Sequence, residues 1–248
     1  MRVLCVFLSV LMLVRPCGAI RKKRVALTFD DGPHAQYTAE ILKILYENDA
    51  VATFFVIGSN AQRYPELVRA EYDLGHEIGN HTYSHIICGK ADNNTLLDEI
   101  RTTDGIISDI TGQIPTLFRP PEGKTGAGLV ALNEYGKTVV LWDVDTRDWA
   151  HTSPEAIIKN IKANVHDGSI ILFHDFVSAP SPTPEVLKQI IPYLREQGYE
   201  FVTVSGLLAE KTDTGLKPSF FIGIKTALPA KHNAAGNRRI NDRRTGRI

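Results

Sequence analysis

The chain has few cysteines for its 248 residues: only Cys5, Cys17 and Cys88. The first two fall within an N-terminal stretch with the features of a leader, so a mature chain would keep Cys88 alone and form no intramolecular disulfide. Its stability must therefore come from a hydrophobic core, which about 190 residues are enough to bury. Because no basic residue closer than Lys90 flanks it, we expect Cys88 to be a buried, unreactive thiol.

The sequence also lacks a net charge, since 28 Lys and Arg residues balance 28 Asp and Glu residues. This balance gives no electrostatic reason to expect a nucleic-acid-binding protein. With 43% hydrophobic and 23% charged residues, the composition excludes a disordered, collagenous or coiled-coil chain. We expect no transmembrane segment, because the apolar run near the N-terminus is only twelve residues long.

That apolar run covers residues 3–14, is interrupted only by Ser9 and follows the positively charged start Met1-Arg2. Small residues at positions 17–19 provide a cleavage site. This pattern is typical of a signal peptide and predicts one over residues 1–19, and therefore a secreted, extracellular protein. A buried N-terminal strand or helix is the alternative.

Beyond the leader we expect one domain over residues 20–210 and a basic C-terminal extension over residues 211–248. The end of this extension contains five arginines and a single acidic residue, Asp242. We expect a flexible tail; electrostatic attachment to an acidic wall polymer is the functional alternative.

From Arg24 onward, apolar runs alternate with stretches of helical spacing. Val25–Phe29 and Ala52–Ile57 are typical of buried strands, and the last strand is predicted at Phe201–Val204. Strands that alternate with helices predict an α/β fold with a parallel sheet. An open doubly wound sheet is possible, but a (β/α) barrel of seven to eight units suits the count and length better.

Polar residues follow the apolar strands, where an α/β barrel places its active site. Asp30 and Asp31 follow the first strand as adjacent carboxylates, a costly arrangement unless a cation holds them. His81 and His85 are four residues apart, which on one helical turn would direct both imidazoles to one side. Together with a carboxylate they could form a metal site with open coordination positions.

Three further strand ends carry polar motifs: Arg119-Pro120-Pro121-Glu122-Gly123, then Asp143 to Trp149, then Leu172-Phe173-His174-Asp175. Each motif alone could be an ion-paired loop or a turn. Potential metal ligands, a spare carboxylate, an arginine and a histidine at five successive strand ends together predict a single catalytic site.

These motifs, above all Thr28-Phe29-Asp30-Asp31-Gly32-Pro33 and His81-Thr82-Tyr83-Ser84-His85, resemble those of the polysaccharide deacetylases with a NodB-homology domain (carbohydrate esterase family 4). The resemblance covers about residues 24–209. It implies a distorted (β/α) barrel and a Zn²⁺- or Co²⁺-dependent hydrolase. The reaction implied is removal of acetyl groups from N-acetylglucosamine units of a β-1,4-linked polymer, as in chitin or peptidoglycan deacetylases.

The resemblance also implies a role for each motif residue. Asp31, His81 and His85 would bind the metal ion, Asp30 would be the general base, and Arg119 would orient Asp30. His174 would be the general acid, and Asp148 would keep it protonated. Trp149 and Leu172 would line the substrate groove.

One position departs from the family pattern, because Glu122 occupies the place of a tyrosine whose backbone N–H helps to bind the oxyanion. That backbone donor is retained. A carboxylate about 6 Å from the oxyanion would nevertheless cost roughly 3 kcal/mol at an effective dielectric constant near 20, about a hundredfold in rate. Alternatively, Glu122 points to solvent or takes a metal position meant for substrate.

We therefore expect a secreted, monomeric, metal-dependent deacetylase of an N-acetylated cell-wall or spore-wall polysaccharide, with chitin as the first choice of substrate. One alternative is a catalytically impaired member that binds a wall glycan without hydrolysing it. Another is a deacetylase of peptidoglycan or of acetylxylan.

Overall fold

We describe the fold from a computed structural model of the chain. The structure describes residues 22–125, 132, 135–150, 152–177, 180–213 and 221–222. Beyond residue 209 it describes the backbone alone. The predicted signal peptide and nearly all of the C-terminal extension lie outside these residues, so both stay predictions.

The described part of the chain alternates strands and helices. The strands are β1 (Lys23–Asp30), β2 (Ala52–Val56), β3 (Glu77–Asn80), β4 (Leu117–Phe118), β5 (Thr138–Val140), β6 (Val144–Asp145), β7 (Ser169–His174), β8 (Tyr199–Phe201) and β9 (Phe221–Ile222). The helices are α1 (Tyr37–Glu47), α2 (Gly58–Arg63), α3 (Pro65–Asp73), α4 (Asn93–Thr111), α5 (Pro154–Asn164), α6 (Thr183–Glu196) and α7 (Val204–Asp213). Short 3₁₀ turns lie at Pro121–Gly123 and Asp148–Ala150.

All strand pairs are parallel, in the order β6-β7-β1-β2-β3-β4-β5-β9, and β8 also pairs with β1. Among the described residues the two end strands, β6 and β9, do not pair, so the sheet curls without closing. The predicted distorted (β/α) barrel is confirmed. Because the strands are parallel, the residues after each strand meet at one edge of the sheet.

Two hydrophobic clusters hold the sheet in place. The larger one lies between the sheet and helices α1, α5 and α6, and it contains Phe29, Phe54 and Phe173. A smaller one includes Phe55 and Leu172 from the other face of the strands. Cys88 is buried in a third cluster, and burial raises the pKa of its thiol to about 11, as expected for an inert cysteine.

Local signals explain most of the element boundaries. Helix α4 begins where the Asp92 side chain accepts hydrogen bonds from the backbone N–H groups of Asn94 and Thr95, and it ends at Gly112 with φ 78°. The strand predicted at Phe201–Val204 is wrong at both ends, because the observed β8 covers Tyr199–Phe201 and Val204 begins α7; it is also not the last strand, since β9 follows. Thr203 Oγ1 accepts the Gly206 N–H, a helix-start contact that ends the strand before Val204. None of the described helices is both long and apolar enough to cross a membrane.

Candidate active site

The carboxyl edge of the sheet forms a cleft of about 550 Å³. Eight of the ten predicted site residues line it: Asp30, Asp31, His81, His85, Glu122, Trp149, Leu172 and His174. The other two, Arg119 and Asp148, lie behind the lining and are bonded to Asp30 and His174. The structure therefore brings all the predicted motifs together.

Asp31, His81 and His85 bring three potential metal-ligand atoms together. The Oδ1 atom of Asp31 lies 3.3 Å from Nε2 of His81 and 3.3 Å from Nε2 of His85. The three ligand atoms lie within 4.8 Å of one another. Asp31 adopts φ 75°, and its carbonyl accepts a hydrogen bond from Asn60 Nδ2 at 2.8 Å, which fixes this backbone turn.

The hydrogen bonding of His81 fits a cation in this cluster. Its Nδ1 lies 2.7 Å from the carbonyl oxygen of Arg119, and because a carbonyl can only accept, Nδ1 carries the hydrogen. In the neutral ring, Nε2 then directs a lone pair toward the buried Oδ1 atom of Asp31, which also faces Nε2 of His85 at 3.3 Å. A cation between these three atoms would satisfy all of them as acceptors. Two imidazole nitrogens and a carboxylate are ligands that Zn²⁺ and related divalent ions accept.

The segment between the two histidines is a loop and not the helical turn that their spacing predicted. Thr82 and His85 have φ angles of 68° and 61°, a backbone region that non-glycine residues seldom adopt. Both histidines still face Asp31, but local backbone turns direct them there rather than helical periodicity.

Glu99 of α4 holds this loop in its strained conformation. Its Oε2 atom accepts the backbone N–H of Tyr83 at 2.9 Å and that of Ser84 at 2.7 Å, and Oε1 accepts the Ser84 hydroxyl at 2.9 Å. On the other side of the loop, the backbone N–H groups of Gly58 and Ser59 at the start of α2 donate to the carbonyl oxygens of Thr82 and Tyr83. The loop that carries the two imidazoles is therefore fixed on both sides.

A buried polar chain supports the start of the same loop. Asn80 accepts the Thr82 N–H through Oδ1 and donates through Nδ2 to Asp104 Oδ1, both at 2.8 Å. Asp104 in turn forms a 2.7 Å ion pair with Lys137, and both side chains are buried. Sequence reasoning did not identify this chain, because its members are distant in sequence and belong to no motif at a strand end.

Asp30 and Arg119 form a buried ion pair beneath the cleft. Arg119 is fully buried, and its Nη1 donates to Asp30 Oδ1 at 2.7 Å and to Thr28 Oγ1 at 2.8 Å. Its remaining donors reach backbone carbonyls, and its guanidinium stacks 4.1 Å from the ring of Phe55. The other oxygen of Asp30 is 3.9 Å from His81 Nε2, so Asp30 lies beside the ligand cluster and not within it.

His174 is held by Asp148 behind the cleft wall. Asp148 Oδ1 is 2.7 Å from His174 Nδ1, and its Oδ2 accepts the His174 backbone N–H and the Thr183 hydroxyl. Burial alone would lower the pKa of His174, but the hydrogen bond and charge of Asp148 outweigh burial and raise it to about 9. The ring is therefore protonated at neutral pH, as a general acid requires.

Trp149 and Leu172 line the cleft as predicted, Trp149 with 53% of its surface exposed and Leu172 buried. Glu122 has φ 56° and an exposed side chain, and its carboxylate forms a 2.6 Å ion pair with Lys124. The Glu122 side chain is therefore exposed to solvent while it still lines the cleft. Lys124, Trp142 and Asp145 also line the cleft and were not predicted, although each lies within or beside a motif.

A curled parallel α/β sheet that carries a His-His-Asp donor set, a carboxylate–arginine pair and a protonated histidine at one edge defines a metal-dependent hydrolase site. The family model for polysaccharide deacetylases matches residues 18–140. A peptidoglycan-N-acetylglucosamine deacetylase of Bacillus cereus is 40% identical over 193 residues, which cover 77% of this chain and 90% of that protein. The chain belongs to the polysaccharide deacetylase family.

Two further similarities extend this comparison. The peptidoglycan-N-acetylglucosamine deacetylase PgdA of Listeria monocytogenes is 37% identical over 193 residues, which cover 78% of this chain but only 40% of that protein. A family 4 acetyl xylan esterase of Clostridium thermocellum, solved with a cobalt ion, superposes with a TM-score of 0.74 at 34% identity. That superposition covers 82% of this chain and all of the esterase chain.

Proposed function

We propose that the protein is a metal-dependent N-deacetylase that removes acetyl groups from N-acetylglucosamine units of peptidoglycan. The observation that carries this proposal is the single cleft in which the Asp31–His81–His85 cluster adjoins Asp30 and His174. Chitin was the first expectation from the sequence. Peptidoglycan is better supported, because the relatives from Bacillus cereus and Listeria monocytogenes are both named for that polymer.

The residues of the cleft divide the hydrolysis of an acetamide between them. A divalent ion bound by Asp31, His81 and His85, Zn²⁺ or Co²⁺ by our proposal, would supply Lewis acidity toward the acetyl carbonyl and acidify water. Asp30 accepts the proton of the attacking water, and its hydrogen bond from Arg119 orients the carboxylate.

His174 completes the reaction on the leaving group. As the bond between the acetyl carbon and nitrogen breaks, protonated His174 gives its proton to the departing sugar amine, and acetate is the second product. Asp148 stabilises the imidazolium before the transfer and fixes the ring so that Nε2 faces the cleft.

We also propose that the enzyme is secreted and works outside the cell, where a wall polymer is found. The apolar run at residues 3–14 with small residues after it supports this proposal.

A non-hydrolysing, glycan-binding role is the second candidate, because Glu122 takes the place of the family's tyrosine beside the oxyanion position. The exposed position of Glu122 and its pairing with Lys124 favour hydrolysis over this candidate.

The decisive experiment measures acetate released by the purified protein from peptidoglycan, chitohexaose and acetylxylan. Each substrate is tested after chelation and after readdition of Zn²⁺ or Co²⁺. We expect metal-dependent release, fastest from peptidoglycan, and loss of both bound metal and release in His81→Ala. Full metal content without acetate from any substrate would overturn the proposal and favour the glycan-binding candidate, whereas faster release from chitohexaose would return chitin to first place.

A further inference from the structure

Two large, exposed apolar side chains lie at the edge of the sheet that carries the catalytic cleft. Among the described residues, six large apolar side chains are exposed: Tyr46, Leu74, Ile114, Tyr135, Trp149 and Phe176. The first four precede strands β2, β3, β4 and β5 and so lie at the amino edge. Only Trp149 and Phe176 follow strands, and both therefore lie at the edge that carries the catalytic cleft.

Phe176 belongs to an aromatic group beside the cleft. Its ring, 41% exposed, meets His34 edge-on at a centroid distance of 5.2 Å, and His34 stacks on Tyr37 at 4.9 Å. Phe176 lies two residues after His174, so their Cα atoms are at most about 7 Å apart. His34 lies three residues after Asp31. We call Phe176, His34 and Tyr37 the aromatic platform.

The strand order places the platform beside the cleft. Strands β6, β7 and β1 are neighbours in the sheet, and Trp149, Phe176 and His34 are carried on the segments that follow them. The exposed rings of Trp149 and Phe176 and the half-buried ring of His34 thus lie on three adjacent loops, and His174 begins the middle one.

Hydrogen bonds hold together the two loops that carry this platform. The Thr38 hydroxyl donates to Asp175 Oδ2 at 2.6 Å, and the same Thr38 oxygen accepts the His34 N–H at 2.7 Å. The loops after β1 and β7 are thereby tied together beneath the rings. A partly exposed aromatic surface on fixed loops binds a ligand with less loss of conformational entropy than one on mobile loops.

His34 also provides a directed polar group. Its Nδ1 accepts the backbone N–H groups of Gln36 and Tyr37, both at 3.3 Å, so the ring hydrogen is on Nε2. An apolar ring face beside a single hydrogen-bond donor matches a pyranose, which has an apolar C–H face rimmed by hydroxyl groups.

We propose that the aromatic platform is a sugar-binding subsite that holds a unit of the glycan chain beyond the unit being deacetylated. This inference rests on the proposed function, since the occupant is the same β-1,4-linked chain. It makes Phe176 a specificity residue that favours long glycans over short ones.

Calorimetric titration of chelator-treated protein with N-acetylglucosamine hexamer and dimer tests the subsite without catalysis. Phe176→Ala should weaken hexamer binding about tenfold and change dimer binding less. Phe176→Tyr, which keeps an aromatic ring, should restore hexamer binding. Tyr46→Ala, which removes an exposed ring at the opposite edge, is the matched control and should bind like the wild type.

Equal hexamer affinity in Phe176→Ala and the wild type would overturn the subsite. So would an equal loss for both oligomers, which would place the effect in the cleft itself, or a wild type that binds the hexamer no more tightly than the dimer. Acetate release is assayed separately, so a protein that binds length-dependently but releases no acetate contradicts the proposed function and not the subsite.

Discussion

Arg119 contacts both the proposed general base, Asp30, and the proposed metal ligand His81, through its side chain and its backbone respectively. Its guanidinium holds Asp30, while its backbone carbonyl fixes the hydrogen of His81 on Nδ1. The orientation of the general base and the lone pair of a metal ligand therefore depend on the same buried side chain and its backbone. A lysine could not replace it, because a single ammonium group cannot reach Asp30, Thr28 and two carbonyls together.

Asp30→Asn separates the base from the ligand set. We expect acetate release to be lost and the bound metal to be kept, since Asp30 lies outside the cluster of ligand atoms. The variant also leaves Arg119 buried without its anionic partner, which should lower the free energy of unfolding by about 3–5 kcal/mol. Metal analysis of the purified variant checks the metal content, and urea unfolding of the same preparation checks the free energy of unfolding. Loss of the metal from a variant that is still folded would instead identify Asp30 as a metal ligand.

Glu122→Tyr should have a smaller effect than the hundredfold expected for an unpaired carboxylate near the oxyanion. The Glu122 carboxylate is exposed to water and 2.6 Å from Lys124 Nζ, so its charge at the cleft is reduced by the solvent and by the lysine, although Glu122 still lines the cleft. We expect kcat/KM for acetate release to change by less than about tenfold. Lys124→Met removes the ionic partner of the Glu122 carboxylate and should lower kcat/KM. A hundredfold gain in kcat/KM in Glu122→Tyr would contradict this expectation, because it would show that Lys124 does not neutralise the Glu122 charge.

At the scale of elements, helix α4 acts as the support of the metal-binding loop. Glu99→Ala removes the acceptor for two loop amides and a hydroxyl, so Thr82 and His85 lose part of what holds them at positive φ. We expect the dissociation constant for Zn²⁺, measured by equilibrium dialysis, to rise about tenfold to a hundredfold.

Asp98→Ala is the matched control, because Asp98 is the exposed preceding residue of the same helix and its nearest ionic contact is Arg101 at 3.7 Å. It removes the same charge and should leave Zn²⁺ affinity unchanged. Glu99→Gln, which keeps an acceptor oxygen, should bind Zn²⁺ almost as tightly as the wild type. Equal affinities in Glu99→Ala and Asp98→Ala would show that the loop holds its shape without the helix.

The sequence predicted the strand ends well, because buried parallel strands are apolar runs and the polar residues that follow them stand out. It could not predict how those residues are held. The spacing of His81 and His85 is equally compatible with a helix and with a loop, and the decisive contact comes from Glu99, fourteen residues after His85. Glu122, which pairs with Lys124, also adopts a positive φ angle that its side-chain chemistry does not predict.

Across the whole molecule, Asp148 ties together three parts of the fold. It follows β6, pairs with His174 at the end of β7, and accepts a hydroxyl from Thr183 at the start of α6. The protonation of one catalytic residue is thereby linked to the packing of the sheet edge and a helix.

This link predicts how stability depends on pH. Because Asp148 raises the pKa of buried His174 from 6.5 to about 9, the pair stabilises the fold fully below pH 6.5. That contribution, roughly 3 kcal/mol, should disappear as pH rises through about 9. Urea unfolding of chelator-treated protein at pH 6 and pH 9.5 measures it, and a His174→Gln variant supplies the baseline. An equal pH response in both proteins would contradict the link.

Because Glu99 fixes the metal-binding loop, metal binding should also affect how often this loop separates from α4. The amide hydrogens of Tyr83 and Ser84 lie in a partly exposed loop, yet they can exchange with solvent only when the loop separates from α4. A cation at a hundredfold excess over its dissociation constant would oppose that separation by about 2.7 kcal/mol, if the opened loop cannot hold it. Hydrogen exchange at these two amides should slow about a hundredfold on addition of Zn²⁺, so the backbone itself reports when the enzyme is loaded.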